Sequence, residues 1–154
     1  MISITVDDSA AMARLTAMPE VVRRKIVEVT RRLGFDLQQH VQSDKLSGQV
    51  LGTRSNTLRS SINTQFEKYG DTFTATVGTD VFYAKFHEFG VSRSWLIQAR
   101  NAKALRFRVG GRTLFRKRVT HPPLPERSFL RPALGDMTPM ILAEYARAVT
   151  EAVH

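Results

Sequence analysis

His87 and Glu88 stand side by side in the run YAKFHEFG from Tyr83 to Gly90 and pair the two groups that general acid–base chemistry uses most, an imidazole and a carboxylate. Neighbours on a strand point to opposite faces, and a glutamate before Phe-Gly at a strand end serves more often to fix a loop. The structural reading of the pair therefore outweighs the catalytic one. The other histidines, at 40, 121 and 154, form no His-x-His or His-x-x-x-His spacing, so metal binding has no motif to rest on. The chain has no cysteine, which excludes disulfides and thiolate metal sites. Ser47-Gly48 and Leu51-Gly52 lack both the P-loop lysine and the dinucleotide spacing. Asp7-Asp8, the one adjacent carboxylate pair, stands where capping of a helix start explains it. The expectation is a protein that is not an enzyme and needs neither cofactor nor metal.

Charge is distributed with more information than the motifs carry. The 154 residues hold 23 Lys plus Arg against 14 Asp plus Glu, a net charge of +9. The segment 90–118 holds the whole surplus: Arg93, Arg100, Lys103, Arg106, Arg108, Arg112, Arg116, Lys117 and Arg118, with no carboxylate among them. Nine such charges repel one another unless they are solvated or met by an anionic surface. An acidic protein surface and a nucleic-acid backbone both qualify. Trp95, Phe107 and Phe115 would be available for stacking on bases, although the two phenylalanines could equally fill the buried face of a hairpin. No nucleic-acid-binding motif accompanies the patch, which favours the protein partner.

The elements that position these residues follow from periodicity. Ile2, Ile4 and Val6 alternate with Ser3 and Thr5 as a short strand, with Asp7, Asp8 and Ser9 able to cap a helical turn after it. From Pro19, the apolar residues Val22, Ile26, Val29, Leu33, Leu37 and Val41 recur at helical spacing, with Arg23, Arg24, Arg31 and Arg32 on the other side, and the pattern ends near Asp44. Residues 47–60 form a long loop closing in a helical turn that carries Leu58 and Ile62. A hairpin follows, Ile62 to Phe66 and Phe73 to Val77, joined through Tyr69, Gly70 and Asp71, and the alternation predicts a third strand around Phe82 to Phe86. Leu105, Phe107 and Val109 alternate with Arg106 and Arg108 up to a Gly110-Gly111 turn, after which the chain returns as a strand from Thr113 to Val119. Prolines 122, 123 and 125 make 121–132 a stiff extended arm, and Thr138-Pro139 predict the start of a last helix that buries Ile141, Tyr145, Ala148 or Val149, and Ala152. With no βαβ alternation, the reading is a single α+β domain over 1–154: a long N-terminal helix and a C-terminal helix packed on one face of a mainly antiparallel sheet, with a projecting basic hairpin.

Four runs in order resemble a known family: Leu46-Ser47-Gly48-Gln49-Val50-Leu51, then Leu58-Arg59-Ser60-Ser61-Ile62, then Tyr83-Ala84 with His87-Glu88-Phe89-Gly90, and finally the arm from Pro122 through Glu126-Arg127-Ser128-Phe129-Leu130-Arg131-Pro132 to Leu134. They are similar to the minor tail, or tail-completion, proteins of long-tailed bacteriophages. Members of the family it resembles usually carry Thr-Gly before the Leu-Arg-x-Ser-Ile run where this chain has Ser55-Asn56, and asparagine is the residue that best replaces glycine at positive φ. The resemblance implies a non-enzymatic virion protein, several copies of which form a ring at the neck and join the tail terminator or tail tube to the head–tail connector. Assembly would take place in the host cytoplasm, with no membrane involved. On this reading the partner-binding residues are Arg106, Arg108, Arg112, Arg116, Lys117, Arg118, Arg127, Phe129 and Arg131. Phe129 would anchor the arm either in its own core or in a neighbour, and Arg127 and Arg131 would pair with nearby acids. The alternatives are a stand-alone basic nucleic-acid-binding module, or a small hydrolase using His87 and Glu88.

Overall fold

The computed structural model describes residues 2–5, 20–48, 51, 56–70 and 72–153. Val6, the capping residues Asp7, Asp8 and Ser9, Pro19, most of the 49–55 loop and Asp71 lie outside them. The elements in chain order are β1 (Ile2–Thr5), α1 (Glu20–His40) running into a π-helical turn (Val41–Lys45), α2 (Thr57–Ser61), β2 (Asn63–Tyr69), β3 (Thr72–Thr79), α3 (Ala84–Phe89), β4 (Trp95–Gln98), β5 (Leu105–Val109), β6 (Arg112–Arg116), β7 (Arg118–His121) and α4 (Leu130–Val153). This is the α+β architecture that the periodicity predicts.

The apolar stripe of α1 is buried throughout, from Val22 to Leu37 and on through Val41 and Leu46. It packs on β2 and β3, in a sheet of order β1-β3-β2 with both pairings antiparallel. Val77 of β3 is fully buried. Helix α4 lies antiparallel along α1 and contributes Ala133, Met137, Ile141 and Ala148 to the same core, with Tyr145, Val149 and Ala152 packed at its margin. Polar contacts fix the register of the two helices. Lys25 reaches Glu151 at 3.9 Å, Arg32 pairs with Glu144, Lys45 reaches Asp136 at 2.5 Å, and the Thr30 and Tyr145 hydroxyls share a hydrogen bond of 2.7 Å.

Three expectations are corrected. The run after Asp80 is a helix, not a third strand: Ala84 and Glu88 are buried while Lys85 and Phe89 are exposed, the period of a helix, and a run this short fits both periods in sequence. The last helix begins at Leu130, eight residues before Thr138. Pro139 sits in its interior on the exposed side, with exposed Gly135 one turn earlier, so the hydrogen bond that proline cannot make is lost on the solvent face. The strand expected from Thr113 to Val119 divides at Lys117 into β6 and β7, which pair with different partners.

That division makes a nested ribbon. β4 pairs antiparallel with β7, from Trp95 opposite His121 to Gln98 opposite Arg118, and β5 pairs with β6 inside it, from Leu105 opposite Arg116 to Val109 opposite Arg112. The Ala99 amide donates to the Lys117 carbonyl at 3.0 Å, so residues 100–104 are extra residues on one strand opposite Lys117 alone. Gly110 and Gly111 close the inner hairpin with φ of +56° and +79°, the double positive φ that a two-residue turn of this hand requires.

Candidate functional site

The most constrained polar group in the molecule is Glu88. Its side chain is 1% exposed, and its two carboxylate oxygens accept hydrogen bonds from five donors: Ser128 Oγ at 2.5 Å, the backbone amides of Phe129, Leu130 and Arg131 at 2.8, 3.0 and 3.1 Å, and Arg131 Nε at 3.2 Å. Those amides open α4, where the first-turn N–H groups have no partner within the helix. The next residue, Pro132, has no N–H to satisfy. One carboxylate thus serves the whole start of a 24-residue helix, with the helix dipole in its favour. Burial pushes the Glu88 pKa up, but the hydrogen bonds from Leu130, Ser128, Phe129 and Arg131 outweigh it and hold the carboxyl below its ordinary value.

Neighbouring residues complete a clasp. Arg131 Nη2 donates to the Glu88 carbonyl at 2.9 Å and to Glu126 at 2.6 Å, and its guanidinium lies over the Phe89 ring at 5.2 Å. The Arg127 amide donates to the His87 carbonyl at 2.8 Å, and Val91 and Leu124 exchange amide hydrogen bonds of 2.8 and 3.0 Å in an isolated antiparallel bridge. Between them Gly90 turns with φ of +66°, and a Cβ there would stand 2.8 Å from the Glu126 backbone nitrogen. Only glycine combines that left-handed angle with so close an approach.

The candidate acid–base pair, which the sequence already disfavours, is not assembled as one. The Glu88 oxygens are taken up by the helix start, and the His87 ring turns toward Tyr83, edge to face at 6.1 Å, with a buried Nδ1 that has no hydrogen-bond partner. Burial, and then the positive charge of Arg127, lower the His87 pKa below the ordinary imidazole value. The loop-fixing reading of Glu88 is the one the geometry supports, and its object is the helix start as well as the loop. What sequence reasoning missed was the partner: with α4 expected to begin beyond Ser128–Arg131, no free amides are sought there.

The residues expected to bind partners fall into two groups. Phe129 is fully buried in the chain's own core, the first of the two placements the sequence left open, and Arg131 is used within the clasp. Arg127 is exposed and, among the described residues, makes no ion pair. Arg106, Arg108, Arg112, Arg116, Lys117 and Arg118 are all exposed on the nested ribbon, as are Arg93, Arg100 and Lys103, and none of the nine has an ion-pair partner among the described residues. The aromatic residues separate as well. Trp95 stacks on His121 at 4.1 Å, Phe107 is half-buried, and Phe115, on the opposite face of the hairpin from Phe107, is 59% exposed.

The two N-terminal motif runs support the fold. Leu46 and Leu51 are buried, Ile62 is 2% exposed, the Ser61 and Thr79 hydroxyls share a hydrogen bond of 2.7 Å, and Gln42 Nε2 donates to the carbonyls of Arg59 and Ile62 at 3.1 Å each. Asn56 has φ of +56°, a left-handed conformation that asparagine tolerates better than most non-glycine residues.

Among the described residues, no helix is long and apolar enough to cross a membrane. No curated protein and no solved structure matches the chain. A protein-family model described as "Bacteriophage HK97-gp10, putative tail-component" matches residues 9–90, more than half of the chain, and ends at the glycine of the clasp. With Asn56 in its turn and His87-Glu88-Phe89-Gly90 at the hinge of the arm, the protein belongs to the HK97-gp10-like family of bacteriophage tail components.

Proposed function

We propose that this protein is a non-enzymatic subunit of a ring at the virion neck, completing the tail and joining it to the head–tail connector. The observation that carries the reading is the clasp: Glu88 and Gly90 at the end of the family-matched segment fasten a proline-stiffened arm to the body, and the ribbon 95–121 lies in the chain between the two anchored points. A part held rigidly at its base with its cations unpaired is built for docking, not for turnover. In a ring the contacts are heterologous, one surface of each subunit meeting a different surface of the next. The protein partners on this reading are further copies of the chain, the tail terminator or tail tube, and the connector. Arg127 and the ribbon arginines are the exposed residues through which partners would be met.

Native mass measurement of the purified protein, alone and with its tail partner, tests the proposal. A closed oligomer that forms alone or on mixing is the expected result. Phage that mature with normal joined tails after loss of this gene would overturn it, as would turnover of a small substrate by the purified protein.

A further inference from the structure

The nine cations of segment 90–118 are relieved by solvent or by an anionic counterpart, and a second copy of this chain offers few carboxylates for that role. Outside that segment the 14 basic residues are matched by 14 acidic ones, so every subunit of a homomeric ring carries the same surplus of +9. Most of the described carboxylates are already engaged within the chain. Asp36, Glu67 and Asp80 are the described ones without an ion pair.

The strand register shows what shape the charge takes. Arg106 and Arg108 of β5 share one face of the inner hairpin with Phe115, which is directly opposite Arg106, while Arg112 and Arg116 of β6 share the other face with Leu114 between them. The hairpin is thus cationic on both faces, and residues two apart on one face are about 6.8 Å apart along the strand. A two-stranded ribbon of this kind fits the DNA major groove, about 12 Å wide, with a wall of phosphates on either side. Seven of the nine cations are arginine, whose planar fork engages phosphate oxygens in pairs. Neither β5 nor β6 carries an asparagine, glutamine, aspartate or glutamate to read adenine or cytosine, and an arginine that engages phosphate rather than a guanine edge does not select sequence. Where the sequence favours an acidic protein as the partner, this arrangement of charge speaks for a nucleic-acid backbone. A polyphosphate meets a dense, two-sided cationic ribbon by its nature, whereas a protein would need an equally dense acidic cleft.

We infer that the β5–β6 hairpin is a sequence-independent binding element for the backbone of duplex DNA, with Arg106 and Arg108 facing one phosphate strand and Arg112 and Arg116 the other. The inference deepens the neck reading, on which it rests for its setting, by naming the chemistry of one partner.

Binding of the full chain to mixed-sequence DNA duplexes, followed by fluorescence anisotropy over a salt series, tests it, with poly-glutamate as the competing acidic-polypeptide probe. The expected result is affinity that is indifferent to sequence and falls linearly on logarithmic axes as salt rises. In the variant R106A/R108A/R112A/R116A the slope should be shallower by about 3 to 4, at about 0.9 for each phosphate no longer neutralised. The charge-preserving variant R106K/R108K/R112K/R116K should keep most of that slope, and unchanged melting temperatures in both variants would exclude misfolding as the cause. An unchanged slope in the alanine variant overturns the inference, and so does poly-glutamate binding as tightly as DNA, which would assign the hairpin to an acidic protein. Wild-type protein that assembles with its tail partner but binds no duplex overturns this inference alone. Protein that binds duplex but never assembles upholds it and overturns the neck reading.

Discussion

Arg32 of α1 and Arg147 of α4 both reach Glu144, and Lys25 is shared between Glu28 and Glu151, whereas Arg106 and Arg108 of β5 reach no carboxylate among the described residues. The helical body and the ribbon use the same residue types under different constraints. On the two long helices, charges lie at spacings that let them meet across the seam, and they record an antiparallel register whose stability comes from the apolar core beneath. Exposed pairs of this kind contribute about 0 to 1 kcal/mol each. The ribbon has little core of its own, with Leu105, Phe107 and Leu114 only half-buried, and its charges repel one another. Charge in the body is matched within the chain, while charge in the ribbon is unmatched among the described residues. The clasp at Glu88 joins the two regions, and it is where a single carboxylate matters most.

The largest loss of stability is expected at that carboxylate. Replacing Glu88 with Ala leaves three buried amides and Arg131 without their acceptor, and should cost about 3–5 kcal/mol. That corresponds to a fall in Tm of about 10–15 °C for a chain of this size. Thermal denaturation measures it, and a loss of only a degree or two would mean that the arm and α4 are fastened by something else. Phe129→Ala, which opens a cavity at a fully buried position on the same hinge, should cost a similar ~3–5 kcal/mol by chemical denaturation. Survival of both stability and assembly in that variant would rule out Phe129 as the anchor.

Acidification probes the clasp without mutation. Both His87 and Glu88 have lowered pKa values in the fold, so in each case the unfolded chain takes up protons that the native chain does not. Stability should therefore decline first as pH falls below the ordinary imidazole value of about 6.5, and again as it falls below the ordinary glutamate value of about 4.3 toward the lowered pKa of Glu88. Denaturant midpoints measured against pH should show a smaller second stage in Glu88→Gln, which cannot titrate, with a remainder from Asp136, whose pKa Lys45 and His40 also lower. An undiminished second stage would assign it to other carboxylates. Gly90→Ala should destabilise by at least about 1 kcal/mol, from its positive φ and the 2.8 Å approach to the Glu126 nitrogen. The smallest effect belongs to the ribbon: Arg106→Ala with Arg108→Ala should change stability by no more than about 0.5 kcal/mol, since neither side chain has an ion-pair partner among the described residues. A large loss there would show that these arginines hold the body together and would erase the contrast between the two regions.

Much of this molecule is legible without coordinates. The 3.6-residue stripe from Val22 to Val41, the alternation of Phe73, Ala75 and Val77, and the Gly110-Gly111 turn all report on contacts within a few residues, and each forms the element its pattern implies. Asn56 at positive φ follows from backbone sterics alone. The unbalanced charge of 90–118 is also a property of composition, and it marks the ribbon as a surface apart. The candidate acid–base pair is equally visible, and so is the stronger reason to read its glutamate as structural.

Other features depend on residues far apart in the chain. Whether 82–86 is strand or helix turns on which face has to be buried against the core, and a run of that length satisfies both periods. The start of α4 escapes a local reading because its cap comes from Glu88, some forty residues earlier, while nearby signals favour Thr138-Pro139. The pairing of Trp95 with His121, and the division of the returning strand at Lys117, likewise depend on a partner strand that no nearby residue announces. Periodicity and propensity are short-range properties of the chain, whereas a helix cap or a ladder partner recruited across forty residues, or more than twenty, is chosen by the free energy of the closed fold.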